Sequence, residues 1–281
     1  MAETLDQVLD LLQVSVLRKD EFQGTPDSHG AERTFGGLVA AQALMAASQT
    51  VDGRAAHSLH AYFLRPGSAR IPVLYRVERI RDGRNTSTRR VSASQKDTKI
   101  FEANLSFCTA REGIEYQDPM PHDVPAPDTL LSVETALAPY AHEDDGWWVR
   151  PRPFDMRYVA HPPRAALDLA AAPPPRNRLW MRTRGSVPAD PTLRNGLLTF
   201  ISDLTLLDSV MLADRRTTRG PGIIASMDHV VWFHRVPDYD DWLLYDQTSP
   251  TALQGRGLVT GRMFDRSGRL LCSVAQEGFL G

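Results

Sequence analysis

Hydrophobic positions change period along the chain, and the changes divide it. Leu5, Val8, Leu9, Leu11 and Leu12 recur at three- and four-residue spacing, which predicts an amphipathic helix at the start. A polar, glycine-bearing stretch, residues 21–34, comes next. From Gly36 and Gly37 the run GGLVAAQALMAASQTV predicts a second helix, whose small side chains let a neighbour approach closely. Between His57 and Thr109 the pattern becomes that of extended chain. HSLHAYFL, IPVLYRVERIRDG, TSTRRVSASQ and KIFEANLSFCTA are strand candidates, parted by RPG, DGRN and KDT turns. No helical pattern interrupts them, so an antiparallel sheet is expected.

Residues 117–147 are proline-rich at first (QDPMPHDVPAPDTLL), then briefly helical, then EDDGWW. A connection this long is expected to pack along a surface between two units. Beyond it the pattern returns. PFDMRYVA and RLWMRTRGSV read as strands on either side of Pro173–Pro175, and NGLLTFISDLTLLDSVML reads as one long apolar helix. GIIASMDHVVWFHRV, DWLLYDQTSPTAL, GRGLVTGRMFD and GRLLCSVAQEGFL then read as strands. The expected organisation is therefore a first unit over 1–115, a linker over 116–147 and a second unit over 148–281. Setting residues 58–65 over 228–235 aligns Phe63 with Phe233 and Arg65 with Arg235, and the same offset puts Lys99–Ile100 over Arg269–Leu270. Agreement at two places favours internal duplication.

Composition narrows the function classes. The 281 residues are 42% hydrophobic, which is enough to build a substantial core. The formal net charge of −2 leaves no whole-chain footprint for nucleic acid or an anionic membrane. Only three of the 32 basic residues are lysines, Lys19, Lys96 and Lys99. The remaining arginines suit phosphate or carboxylate, although biased composition is the plainer reading. Cys108 and Cys272 are too few for a thiolate metal site and lie in strand-like apolar runs, as buried reduced thiols do. The opening MAETLDQVLDLLQV lacks the features of a secretory signal, and no apolar run approaches the roughly 20 residues of a membrane span. A cytoplasmic protein without membrane insertion is expected. HExxH, CxxC and GxxxxGK are missing, so neither a metal nor a cofactor is called for.

Three polar residues stand out in the second unit. Asp203 lies among Phe200, Ile201, Leu204, Leu206 and Leu207, where desolvation would raise its pKa unless partners satisfied it. The plainer reading of the pattern is that it sits on a wet stripe with Asp208, or caps a break in the helix. Gln276 ends a strand face carrying Leu270, Cys272 and Val274, although an edge-strand amide meeting solvent is the plainer reading. Ser226 would share a face with Ile224 and Asp228 near the start of a strand, as many ordinary strand serines do. His229 and His234 are five apart and so point to opposite faces, as do His57 and His60, which argues against a shared metal. No GxSxG elbow supports a serine nucleophile. A carboxylate, a hydroxyl and an amide could together hold one water, with the carboxylate taking its proton.

The stretches TFGGLVAAQAL, HSLHAYFLRPG, TRRVSASQ, RPFDMRYV, LWMR, ISDLTLLDS, SMDHVVWFHR, DWLLYDQTSP and VAQEGFLG resemble the type II acyl-CoA thioesterases, the family of the bacterial thioesterase II and its peroxisomal relatives. They run from residue 34 to the C-terminus. The resemblance implies an α+β double hotdog, in which each of two repeats wraps a long central helix in an antiparallel sheet. It further implies hydrolysis of fatty acyl-CoA, of medium to long chain, to free acid and CoA. The family's water-activating residues fall on Asp203, Ser226 and Gln276. Gly36 and Gly37 at a helix start fit donors for the developing oxyanion. Arg65 or Arg235 could meet CoA phosphates, unless they are merely solvated.

Two departures fall in the first unit. Thr86 stands where relatives often carry an aromatic residue, and KDTKIF replaces a glycine-bearing turn, which implies a different turn geometry. Both would bear on acyl preference or packing more than on the reaction. The alternatives are a non-catalytic acyl-CoA-binding hotdog and an acyl-thioester hydratase or dehydratase using Asp with His229 or His234. Exposed sheet edges make a homo-oligomer, dimer or tetramer, the expected state.

Overall fold

The computed structural model describes residues 2–27 and 32–281, so residues 28–31 of the first polar stretch lie outside the described residues. The first half comprises α1 (Leu5–Leu12), β1 (Val14–Arg18), β2 (Glu21–Gly24), α2 (Gly36–Ser48), β3 (Ala55–Phe63), β4 (Val73–Asp82), β5 (Thr86–Gln95) and β6 (Thr98–Cys108). A long connection carrying α3 (Val133–Leu137) leads to β7 (Phe154–Tyr158), α4 (Pro163–Ala166), β8 (Arg176–Thr183), α5 (Pro191–Ser202) and α6 (Asp208–Ala213). The chain closes with β9 (Ile224–Ser226), β10 (Asp228–Phe233), β11 (Leu243–Leu253), β12 (Arg256–Asp265) and β13 (Leu270–Leu280).

Local chemistry accounts for the element ends. Thr4 and Gln7 form a reciprocal capping box on α1: Gln7 N–H donates to Thr4 Oγ1 over 3.3 Å, and Thr4 N–H to Gln7 Oε1 over 3.2 Å. Asp190 caps α5, accepting from Thr192 N–H at 2.7 Å, and Pro191 takes the first helical position. The hairpin between β5 and β6 turns on Lys96 and Asp97 at φ 45° and 65°. Both central residues thus adopt the left-handed conformation of a type I′ turn without glycine's help. Neither this turn nor Thr86 reaches the cavity described below.

All pairings are antiparallel, in the order β1-β2-β4-β5-β6-β3-β10-β13-β12-β11-β8-β7, with β9 added to β13. Read outward from the central β3–β10 junction, each half repeats the other strand for strand. The first half-sheet wraps α2, the second lies against α5 at β10 and against α6 at β8, β11 and β12, and α2 and α5 pack together. The duplication extends to hydrogen bonds. Leu64 and Arg65 N–H both donate to Ile100 O, while His234 and Arg235 N–H both donate to Leu271 O. The offset is 170 at β3/β10 but 171 at β6/β13, one residue more than the sequence alignment gives.

Two expectations change. The predicted long helix is broken: α5 ends at Ser202, Asp203 is its C-cap, and α6 starts only at Asp208. The proline-rich first part of the connection packs against the second half alone. Residues 117–130 lie on the outer face of the second half-sheet, where Met120, Val124 and Leu130 cover Trp180, Trp242, Leu244 and Phe264. Ion pairs Arg178–Asp123 (2.9 Å), Arg262–Asp118 (3.2 Å) and Arg266–Asp128 (3.1 Å) pin it there. This second cover is why the start of β11 is buried on both faces.

Candidate active site

Where α5 stops, its last turn meets the first turn of α2. The approach is close: a Cβ on Gly37 would fall 2.8 Å from the Phe200 carbonyl oxygen, and one on Gly36 would fall 2.9 Å from Asp203 Oδ2. Two glycines at this point therefore let the N-terminus of one central helix touch the C-terminus of the other. Asp203, at the break, turns its carboxylate to the positive end of α2, with the Gly37 N–H facing it. Burial pushes its pKa up. The His229 ring, the Gln276 amide, the Gly37 N–H and the Ser226 hydroxyl each pull it back, so the carboxylate is held by partners without being neutralised by a salt bridge.

Ser226 and Gln276 are brought together from neighbouring strands. Gln276 Nε2 donates to Ser226 Oγ at 2.7 Å. The strand that reads as continuous through Ser226 and His229 is interrupted at Met227: Ser226 is in register with Gly278, but Val230 with Ala275. One extra residue at the break reverses the alternation of faces. Ser226 consequently shares a face with His229 and not, as strict alternation predicts, with Asp228. Asp228 instead accepts from the Glu277 N–H at 2.6 Å and pins the bulge.

His229 is the candidate residue that sequence reasoning missed as part of this set. It is fully buried. Its Nδ1 donates to Gln276 Oε1, and its Nε2 lies 2.7 Å from Ser202 Oγ. A carboxamide oxygen only accepts, so this bond fixes the amide with its NH2 toward Ser226 and Asp203. The missing signal is the bulge, which no local residue pattern announces.

These groups sit at the wall of a cavity of about 990 Å³. Asp203, Ser226 and Gly36 line it, while Gln276, 1% exposed, stands directly behind. Phe63, Phe101, Phe154, Met156 and Phe200 supply apolar wall. Val133, Leu137, Trp147, Trp148 and residues 150–153 of the long connection close one side. Arg65 lies at the mouth, its Nη1 donating to Lys99 O at 3.0 Å, and Arg33 joins it. Arg235, its counterpart by duplication, lies outside the cavity and donates to Leu270 O. His234 bonds Ser273 Oγ, away from Asp203. Neither histidine of the hydratase reading opens onto the cavity. Among the described residues no cluster of His, Cys, Asp and Glu could hold a metal.

An acyl-CoA thioesterase family model matches residues 156–279, and an acyl-CoA thioesterase N-terminal domain model matches residues 25–108. The chain belongs to the acyl-CoA thioesterase family. It is 32% identical to the acyl-CoA thioesterase 2 of Haemophilus influenzae over all of this chain and 99% of that one. Among solved structures, the tesB protein of Mycobacterium avium subsp. paratuberculosis superimposes with a TM-score of 0.82 at 35% identity, covering 99% of both chains. An acyl-CoA thioesterase II from Mycobacterium marinum does so with a TM-score of 0.78 at 38% identity over 97% of both. The fold is the double hotdog of this thioesterase family, one repeat on each side of β3–β10.

Proposed function

We infer that this protein hydrolyses fatty acyl-CoA to free acid and CoA, with Asp203 as general base. The observation that carries the reading is the convergence of Asp203, Ser226 and Gln276 at the wall of an apolar cavity, where two helix ends meet. A water held between Asp203 and Ser226 gives its proton to the carboxylate as its oxygen attacks the thioester carbonyl. Gln276 holds the Ser226 oxygen and shares the carboxylate's charge from behind. The Gly37 N–H is turned to Asp203. The Gly36 N–H, without a partner among the described residues, is the donor left for the oxyanion. On collapse the carbon–sulfur bond breaks, and the thiolate of CoA takes up the proton from Asp203.

The cavity volume lies at the upper end of the roughly 300–1,000 Å³ of small-molecule sites, in keeping with medium to long acyl chains. Arg65 at the mouth is placed for CoA phosphates. We assign residues 1–115 and 148–281 to the two repeats, with 116–147 between them. A homo-oligomer is supported by edge strand β1, which exposes Val16 and Leu17. A cytoplasmic location is supported by Cys108 and Cys272 remaining free thiols. No helix among the described residues is long and apolar enough to cross a membrane.

The test is thiol release from acyl-CoAs of two to eighteen carbons by the wild type and by Asp203→Asn. The wild type should turn over the longer members, and the folded variant should lose about 10²–10⁴ in kcat, the range of general-base catalysis. Silence of the folded wild type across the ladder would remove the assignment. Full activity of Asp203→Asn would remove the role of the carboxylate.

A further inference from the structure

Beyond Asp203 the same cavity holds polar groups that the hydrolysis does not use. Asp208 opens α6, is 8% exposed, and lines the cavity with no hydrogen-bond or ion-pair partner among the described residues. An unpartnered buried carboxyl costs several kcal/mol in an apolar interior, so a wall built only for hydrocarbon has no use for it.

Two hydroxyls lie in the same wall. Thr205 is three residues before Asp208, in a turn closed by Asp208 N–H to Thr205 O at 3.0 Å, so the two side chains fall on one side. Thr205 Oγ1 accepts from Gln247 Nε2 at 2.6 Å, and Gln247 Oε1 in turn accepts from Asn177 Nδ2 at 3.1 Å. This buried relay holds the threonine oxygen and leaves its own proton uncommitted. Tyr158, at the end of β7, is buried in the wall, and its hydroxyl too has no partner among the described residues. The guanidinium of Arg152, also in the wall, is occupied by the carbonyls of Arg150 and Trp148.

The Asp208 carboxyl lies near enough to Tyr158 to help push the pKa of its hydroxyl up. Asp203 is held by Ser226, Gln276 and the Gly37 N–H, none of which bonds Asp208, so the cavity has one polar place at Asp203 and another at Asp208. Burial pushes the Asp208 carboxyl up to about 8, so near pH 7 it is mostly a neutral acid that both donates and accepts.

We propose that Asp208, Thr205 and Tyr158 form a subsite for a hydroxyl group carried on the acyl chain away from the thioester. A hydroxyl both donates and accepts, and so satisfies all three. A methylene there leaves them unpaired, and sites built to bond a hydroxyl reject the analogue lacking it far more strongly than a hydrocarbon pocket rejects an extra methylene. A carboxylate would add a second acid beside Asp208, with Arg152 already engaged. The inference rests on the thioesterase reading for its substrate class but not for its readout.

The experiment compares kcat/KM for acyl-CoAs of one chain length that differ only at a distant carbon: unsubstituted, hydroxylated at successive positions, or ending in a carboxylate. Kd is measured in parallel for the matching non-cleavable thioethers. The wild type should prefer the hydroxylated member, at one position along the chain, by 10-fold or more over both others. Asp208→Leu should reverse the order, raising unsubstituted chains and lowering that hydroxylated one at least 10-fold. Tyr158→Phe and Thr205→Val each delete one oxygen, cover the case in which Asp208→Leu does not fold, and should narrow the preference. An unchanged hydroxyl-to-methylene ratio in the folded variants would overturn the subsite, as would a wild-type preference for plain or carboxylated chains. Absence of turnover with hydroxyl-selective thioether binding would overturn the hydrolase and keep the subsite.

Discussion

The role proposed for Asp203 combines two demands that usually conflict: a base must be charged, yet it must stand where water is scarce. Desolvation raises its pKa, and only neutral donors, the α2 N-terminus and the His229 ring oppose that rise. The sign of the pH effect follows. In the proposed mechanism the deprotonated carboxylate is the active form, so kcat/KM should fall as pH drops through its pKa. That acid limb should lie above the ordinary carboxyl range of about 4, as a rate profile for any turned-over acyl-CoA will register. A limb at or below the ordinary value would mean that the partners outweigh burial. His229 acts at one remove, by fixing which end of the Gln276 amide faces the site. His229→Leu should lower kcat by about 10-fold or more with KM little changed, since no substrate touches the ring. It should also move the acid limb further up, because the ring is one of the influences holding Asp203 down. A loss of kcat without that movement would mark His229 as merely structural.

At the scale of elements, the site depends on two helix ends that nearly collide. Alanine is a better helix former than glycine by about 1 kcal/mol, so Gly37→Ala would stabilise an isolated helix. Here the added methyl would fall 2.8 Å from a backbone oxygen of α5, which cannot swing aside. Overpacking of this kind costs about 1–3 kcal/mol, and it should win: Tm falls, and kcat falls with it because α2 withdraws from Asp203. A variant as stable and active as the wild type would show that the helices have slack. The elements also show what a single sequence can carry. Period and turn chemistry place both central helices and the strands from β3 onward, since burial on one face writes itself into alternate residues; the β1–β2 hairpin, mostly exposed and partly within the stretch read as polar, is missed. The break after Ser202 is less legible, because the apolar positions run on through Leu204, Leu206 and Leu207 whether or not the helix does. The bulge at Met227 is not legible at all: it depends on the partner strand, and it decides whether His229 or Asp228 joins Ser226. Asp203, Ser226 and Gln276 could be singled out as polar residues in apolar company, but their meeting required the fold. Arg89 shows a related limit. In the sequence it is one more arginine of TRRV. In the fold it is fully buried, bonding both oxygens of Thr50 beyond the end of α2 and pairing with Asp82 at 2.7 Å.

The whole molecule is one sheet made of two repeats, and the reactive centre proposed here belongs to neither alone. Gly36 and Gly37 come from the first repeat, Asp203, Ser226 and Gln276 from the second, and β3 pairs with β10 across the junction. Duplication followed by divergence explains the asymmetry: Arg65 reaches the cavity mouth while Arg235, in the same local geometry, does not. Only the covalent connection near Gly113 is dispensable on this view. Ile114 and Tyr116 there are 90% and 88% exposed, and a Cβ on Gly113 would meet nothing. Cleaving the chain after Gly113 should therefore give two fragments that are inactive apart, because each lacks one wall of the site and leaves a long apolar helix face and a sheet edge uncovered. Co-expressed, they should associate and recover thiol-releasing activity, with any deficit confined to low concentration, where the lost effective concentration of the tether is felt. Hydrolysis by the 114–281 fragment alone would mean that the α2 N-terminus is not required, and would shift the oxyanion donor to the second repeat.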